Sequence, residues 1–270
     1  MVDPTSRSAT ALTGSATALR RTSTPGLGLG AGLRLGAGLA LAAGLTLPMP
    51  AVAQKGGGVS ITHLGHSALL IQGGGARVLV NPFQAVGCAA GLPVPRVSAD
   101  VILASSLLKD EGAQVASGKF LVKPGSYRLA GLQIEGIAAP HDRVGGRRFG
   151  NATLWRWRQG GLDIAHLGGT AGRLSPADRV LLGRPDVLII GVGGGGKVYT
   201  GQEAAEVARE LQARRVIPVQ YTTGKPPAGC DQGSVEPFLK AMVGATVRRS
   251  GRTISVVPPL GDGVVVEVMR

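Results

Sequence analysis

Histidine is scarce in this chain, and cysteine, aromatic residues and acids are few. Its 270 residues include four histidines (His63, His66, His141 and His166), two cysteines, nine aromatics and 16 Asp+Glu. A histidine-rich catalytic metal centre would consume nearly all four imidazoles. Two cysteines exclude a disulfide framework; one Cys88–Cys230 bridge is neither demanded nor excluded. Nine aromatics are too few for a base-stacking platform, so no specific nucleic-acid partner is expected. No G-X-Y period accompanies the 44 glycines, which excludes collagen. What is abundant is apolar and basic. The chain is 44% hydrophobic, which excludes a disordered protein, and 29 Lys+Arg give a net charge of +13. The length allows one or two domains and a core that needs no staples.

Residues 1–54 differ from the rest. They hold four basic residues (Arg7, Arg20, Arg21, Arg34) and one acid, Asp3. An apolar run at 35–47, too short for a comfortable membrane span, leads to Ala51-Val52-Ala53. A basic flank, a short apolar stretch and an A-x-A site are the parts of a signal peptide. The expectation is a leader or a disordered tail over 1–54 and one domain over 55–270. Export to a periplasm or thylakoid lumen follows if the leader is real; otherwise the protein is cytoplasmic. Removing 1–53 takes four basic residues and one acid and leaves +10, so this remains a basic protein.

The folded part reads as many short strands followed by helix–strand units. Residues 59–71 alternate and then run apolar, Gly73-Gly74-Gly75 follows, and 77–80 is apolar again: strand, turn, strand. Further strands are expected at 100–104, 119–122, 126–129, 132–137, 153–158, 162–166, 186–191, 216–219 and 253–257. Thr200 and Glu203 form a capping box ahead of the stripe Ala204, Val207, Ala208 and Leu211, which predicts a helix over 200–213. A shorter helix is expected over 235–242. The pattern is α/β in one layered domain.

Seven segments, in order, carry a resemblance: Thr62-His63-Leu64-Gly65-His66-Ser67, the stretches 78–83 and 99–103, Ala139-Pro140-His141-Asp142, and the stretches 163–170, 186–196 and 216–221. Together they resemble the metallo-β-lactamase superfamily, in its "LGHS"-type hydrolase-like branch and especially its cyanobacterial versions. The resemblance implies a four-layer αββα sandwich with the active site on loops at one edge. It also implies an H-x-H-x-D-H motif, a later His, a bridging Asp and a final His holding two metals. Such a metal, commonly zinc, lowers the pKa of bound water and supplies hydroxide at neutral pH.

Here the matched positions are Ser106, Leu108, Asp110 and Glu111, then His141, Gly169 and Gln220, with Asn81 in place of a common Asp. Only Asp110 and His141 match by identity, and Glu111 has ligating chemistry. The resemblance therefore implies a degenerate metal site. Two readings stay open: no cofactor, or a single zinc or other divalent ion on Asp110, Glu111 and His141.

Other residues are weighed against plain structural roles. His66, His166, Gly169 and Gln220 are expected at the pocket rim, though each histidine, like His63, can equally fix a loop or pack. Gly191 to Val198 nearly matches a P-loop, but Val198 fills the Ser/Thr position and the helix starts at Thr200. Ser106 lacks partners for a nucleophile. Arg143, Arg147 and Arg148 suggest an anion site, against the simpler reading of solvated arginines. Trp155 and Trp157 share one face and are expected in the core. The function expected first is a non-catalytic, pseudoenzyme member that binds a small, anionic ligand. A single-metal hydrolase and a basic protein binding a membrane surface are the alternatives. Substrate and oligomeric state are not readable.

Overall fold

The computed structural model describes residues 57–270. The leader assigned to 1–54 lies outside the described residues, as do the first two positions of the expected domain.

The alternating and apolar runs form two face-to-face sheets. In chain order the strands are β1 (Val59–Gly65), β2 (Ala68–Gly73), β3 (Ala76–Val80), β4 (Ser98–Leu103), β5 (Ser117–Leu121), β6 (Gly125–Leu129), β7 (Leu132–Pro140), β8 (Asn151–Gln159), β9 (Leu162–His166), β10 (Val187–Gly191), β11 (Arg215–Val219), β12 (Thr246–Arg249), β13 (Thr253–Val256) and β14 (Val265–Val268). The first sheet has the order β13-β1-β2-β3-β4-β5, and the second β12-β14-β11-β10-β9-β8-β7-β6. Both are mixed. β10 runs parallel to β9 and β11, whereas β6 to β9 pair antiparallel.

Apolar side chains from both inner faces make the main core. Ile61, Leu69, Val78 and Val101 of the first sheet meet Ile134, Trp155, Ile164 and Ile189 of the second. Both tryptophans are buried there, as their shared face suggested. Trp155 Nε1 donates to the Ala104 carbonyl at 3.0 Å, and Trp157 Nε1 to Gln159 Oε1 at 2.9 Å. Each indole thus satisfies its one donor inside the core.

Three α-helices follow β9: α1 (Pro176–Leu182), α2 (Gly201–Glu210) and α3 (Glu236–Ala241). They pack on the outer face of the second sheet, where Ala204, Ala208 and Phe238 join Leu188 and Ile190 in a second cluster. The capping box before α2 closes in both directions: Glu203 N–H donates to Thr200 Oγ1 at 3.3 Å, and Thr200 N–H to Glu203 Oε2 at 2.7 Å. The helix is shorter than expected, with Leu211 as its C-cap. A second box, Ser175 with Asp178, starts α1 and was overlooked in the sequence. Among the described residues, no α-helix covers the outer face of the first sheet; a single 3₁₀ turn, Gly87–Ala89, lies in the segment after β3. The small cluster of Leu70, Leu79 and Ile102 there packs on Leu64, Val97, Ala116 and Phe120. The sandwich is therefore of the expected kind, with loops over one face. The strands β12 and β14, not anticipated, extend the second sheet.

Cys88 and Cys230 form a disulfide, with Cα atoms 4.7 Å apart. It joins the segment after β3 to the loop after β11.

Candidate functional site

Buried strands that stop abruptly at polar residues build one edge of this sandwich. Asn81 follows β3, Ser105 and Ser106 follow β4 closely, His141 follows β7, His166 ends β9, and Gln220 follows β11. At their centre is Glu111, fully buried in a turn after β4. Its carboxylate is surrounded. Ser106 Oγ donates to Oε1 at 2.8 Å, and Gln220 Nε2 donates to Oε2 at 2.8 Å. His141 Nε2 lies 2.8 Å from Oε1. That contact is close but poorly aligned for a ring N–H, and neither His141 nitrogen has a well-aligned hydrogen-bond partner.

Gly169 explains how Glu111 fits. A Cβ at 169 would fall inside the Glu111 carboxylate, far within van der Waals contact. The space into which a side chain at 169 would project is thus filled from the turn after β4. Beside it, Asn81 Nδ2 donates to Ser105 Oγ at 2.8 Å, Ser105 N–H donates to Asn81 Oδ1 at 2.7 Å, and Gly169 N–H reaches Ser105 Oγ at 3.3 Å. Three non-glycine residues around this edge have left-handed backbone: His66 (φ 48°), Asn81 (φ 41°) and Gln220 (φ 53°). Such conformations cost about 1–3 kcal/mol and persist only where surrounding structure enforces them. Here Gln220 N–H donates to the His66 carbonyl at 3.2 Å, locking two of the three together.

Electrostatics follow from burial and neighbours. Burial by itself would raise the Glu111 carboxyl, but His141, Lys197 and Ser106 outweigh it and hold the pKa at about 2. Glu111 is therefore a buried anion. Burial pushes His66 down to about 4 and His166 down to about 3, outweighing the attraction of Glu111. Both are neutral imidazoles at pH 7. Their nitrogens His66 Nε2, His166 Nδ1 and His166 Nε2 are buried without a hydrogen-bond partner, as is Gln220 Oε1.

Asp110 does not join Glu111 and His141. Its Oδ2 takes a 2.6 Å ion pair from Lys197 Nζ, both side chains being largely buried. Among the described residues, no three His, Cys, Asp or Glu side chains are grouped to hold a metal ion. The set Asp110, Glu111 and His141 expected for a single ion is thus split, with only Glu111 and His141 in contact.

The β-lactamase superfamily domain model matches residues 60–220. The chain belongs to the metallo-β-lactamase superfamily. A UPF0173 metal-dependent hydrolase of Thermus thermophilus is 27% identical over 199 residues, covering 62% of this chain and 86% of the relative. One from Rubrobacter xylanophilus is 28% identical over 210 residues, covering 62% and 83%. A crystal structure from Thermotoga maritima, described as a Zn-dependent hydrolase of this superfamily, superposes with a TM-score of 0.63. It is 25% identical and covers 78% of this chain and 98% of that one. Members of the superfamily named as metal-dependent hydrolases make a divalent metal a fair question here.

Several expected positions need correction. His166, Gly169 and Gln220 are fully buried around Glu111 rather than at a pocket rim; only His66 lines an open cleft. Arg143 is no free anion binder. Its guanidinium takes Glu203 with two bonds, at 3.0 and 2.6 Å, and donates to the carbonyls of Gly195 and Val198. Arg147 Nε donates to the Val144 carbonyl at 3.1 Å, and Arg148 stacks over Phe149 at 4.8 Å. The Asp142 carboxylate, which accepts four backbone N–H groups from 144–149, shapes that loop. The near P-loop holds no helix at its lysine, and Lys197 serves Asp110 instead.

Sequence reasoning missed Ser105, the role of Lys197, and the cleft. Ser105 sits beside the matched motif and could have been read from Asn81. Lys197 is 87 residues from Asp110, and no local signal links them.

Proposed function

We propose that this superfamily member has lost the two-metal centre of its relatives and works by binding a small anionic ligand rather than by metal-dependent hydrolysis. One observation carries the reading: the Glu111 carboxylate fills the place of a side chain at 169 and pairs with His141. A negative charge supplied by Glu111, itself satisfied by Ser106, Gln220 and His141, leaves one imidazole and one carboxylate directed at each other. Two divalent ions need several more donors than that. Lys197 against Asp110 adds a fixed cation where a second ion would be repelled. The donor set does not fit the dinuclear group, and no hydrolytic step is derived through it.

A second reading keeps one ion on His141 and Glu111. It draws on the unpartnered buried nitrogens of His141 and His166 and on relatives named as metal-dependent hydrolases. Metal analysis of the purified full chain separates the two. The first reading expects less than about 0.1 equivalent of Zn, Fe or Mn. Close to one equivalent, lost in His141→Ala, would overturn it. The Cys88–Cys230 disulfide supports an oxidising compartment and hence export.

A further inference from the structure

We propose that the large cleft beside His66 binds an amphiphilic anion: one carboxylate or phosphate head on an apolar tail. The proposal deepens the ligand-binding reading and rests on it, but through other side chains, since neither Glu111 nor His141 lines the cleft.

The cleft has a volume of about 1000 Å³. That is the upper end for small-molecule pockets, roughly 300–1000 Å³, and far more than a bare phosphate needs. Its walls come from β1, the segment after β3, the loop after β11, and the chain around β12 to β14.

Its charge is one-sided. Lys225, Arg249, Arg252 and Arg270 line it against one acidic side chain, Glu236, and the α-carboxylate of Arg270. Arg249 pairs with Glu236 at 3.1 Å. Among the described residues, Lys225, Arg252 and Arg270 have no acidic side-chain partner. Arginine without a carboxylate partner, facing a cavity, suits a carboxylate or phosphate oxygen pair.

Two imidazoles stand beside these cations. The backbone N–H of His63 donates to the Arg252 carbonyl at 2.8 Å, which sets Arg252 beside His63. His63 Nε2 and His66 Nε2 are buried without a partner. His66 is more than nine-tenths buried and held in a left-handed conformation. Both Nε2 atoms are shielded from solvent, so the two rings form part of the cleft's wall, and the cations are left to hold the head. The tail has its own wall. Leu92, Val235 and Met269 line the same cleft; Val235 and Met269 are buried, and Leu92, 37% exposed, is the apolar side chain left uncovered among the three. Cations without acidic partners beside an aliphatic wall fit an amphiphile better than either an inorganic anion or a neutral lipid.

The test uses the purified full chain with its disulfide intact, with and without prior EDTA treatment. Dodecanoate, dodecyl phosphate, dodecanol and inorganic phosphate are titrated below their critical micelle concentrations, by displacement of a dansyl-labelled fatty acid. At least one dodecyl anion is expected to bind ten-fold or more tighter than dodecanol and than inorganic phosphate; which head wins identifies the source. Arg252→Gln should weaken that anion at least ten-fold and leave dodecanol unchanged. Leu92→Glu, at an exposed position that does not threaten folding, should weaken it as well. Equal binding of dodecanol and the anions, no binding of either anion, or both variants within two-fold of the parent would overturn the proposal. Metal content is measured on the same samples. A bound metal with cleft binding intact overturns only the metal-free reading, whereas a metal-free protein that binds no amphiphile overturns only this one.

Discussion

Replacing Glu111 by Gln removes one buried charge and little else. Gln220 Oε1 has no partner, so a flip of the Gln220 amide lets it accept from the new amide while Ser106 keeps its acceptor. Packing and hydrogen bonds are conserved, and the charge is isolated. The Glu111 carboxyl falls from 4.5 unfolded to about 2 folded. At about 1.4 kcal/mol per unit, that depression is worth about 3 kcal/mol at pH 7. A depressed carboxyl gives stability that is complete above the unfolded value and drains away as pH falls towards the folded one. Glu111→Gln should therefore lower the urea midpoint by about 1 M at pH 7, for an m-value of about 3 kcal/mol/M. The difference between variant and parent should shrink to less than half by pH 3. The measurement is equilibrium urea unfolding in EDTA, so that no adventitious ion contributes. An unchanged or raised midpoint at pH 7, or a difference that does not shrink in acid, would refute the picture of a carboxylate pinned by His141 and Lys197.

Three further outcomes are expected. Gly169 does not have a left-handed φ, so Gly169→Ala tests only space; its Cβ meets Glu111, and the cost should be about 2–3 kcal/mol. In a Glu111→Ala background most of that cost should vanish, and a double-mutant cycle with no coupling would contradict the geometry. His66 and His166 stay neutral when folded and protonate near 6.5 when unfolded, so stability is lost as pH falls below 6.5. From pH 7.5 to pH 5 the loss should be about 4 kcal/mol, and a flat urea midpoint over that range would speak against their burial. The Cys88–Cys230 bridge spans 142 residues, and loop entropy gives it about 5 kcal/mol. The Cys88→Ser/Cys230→Ser double variant should lose about 10–20 °C in Tm, which calorimetry would read directly.

The fold was legible because strand signals are local. Alternation at 59–71, the apolar runs at 100–104 and 186–191, and the Thr200–Glu203 box each work through nearest neighbours along the chain. The αα layer was read less well. One flanking layer is thin, because the residues over the first sheet are Gly-, Pro- and Ser-rich loops with no helical period. The strands β12 and β14 were missed because they are only four residues each. The site was legible as a set of positions and not as an arrangement. Ser106, Glu111, His141, Gly169 and Gln220, matched to one motif, are gathered by the fold at one edge of the sandwich. The match did not reveal that Asp110 turns to Lys197 or that Arg143 is spent on Glu203, since those partners lie 87 and 60 residues away.

By itself the sequence determined the sheet-rich sandwich, the scarcity of histidine and the basic excess. Composition and local periodicity do not depend on how distant segments meet. Tertiary structure decided how the matched positions are arranged. Gly169 has no side chain, and only the meeting of β4 and β9 ends shows that Glu111 fills its place. The cleft follows the same logic. Lys225, Arg252, His63 and Leu92 are unremarkable apart, and acquire a shared chemistry only because four distant segments wall one cavity.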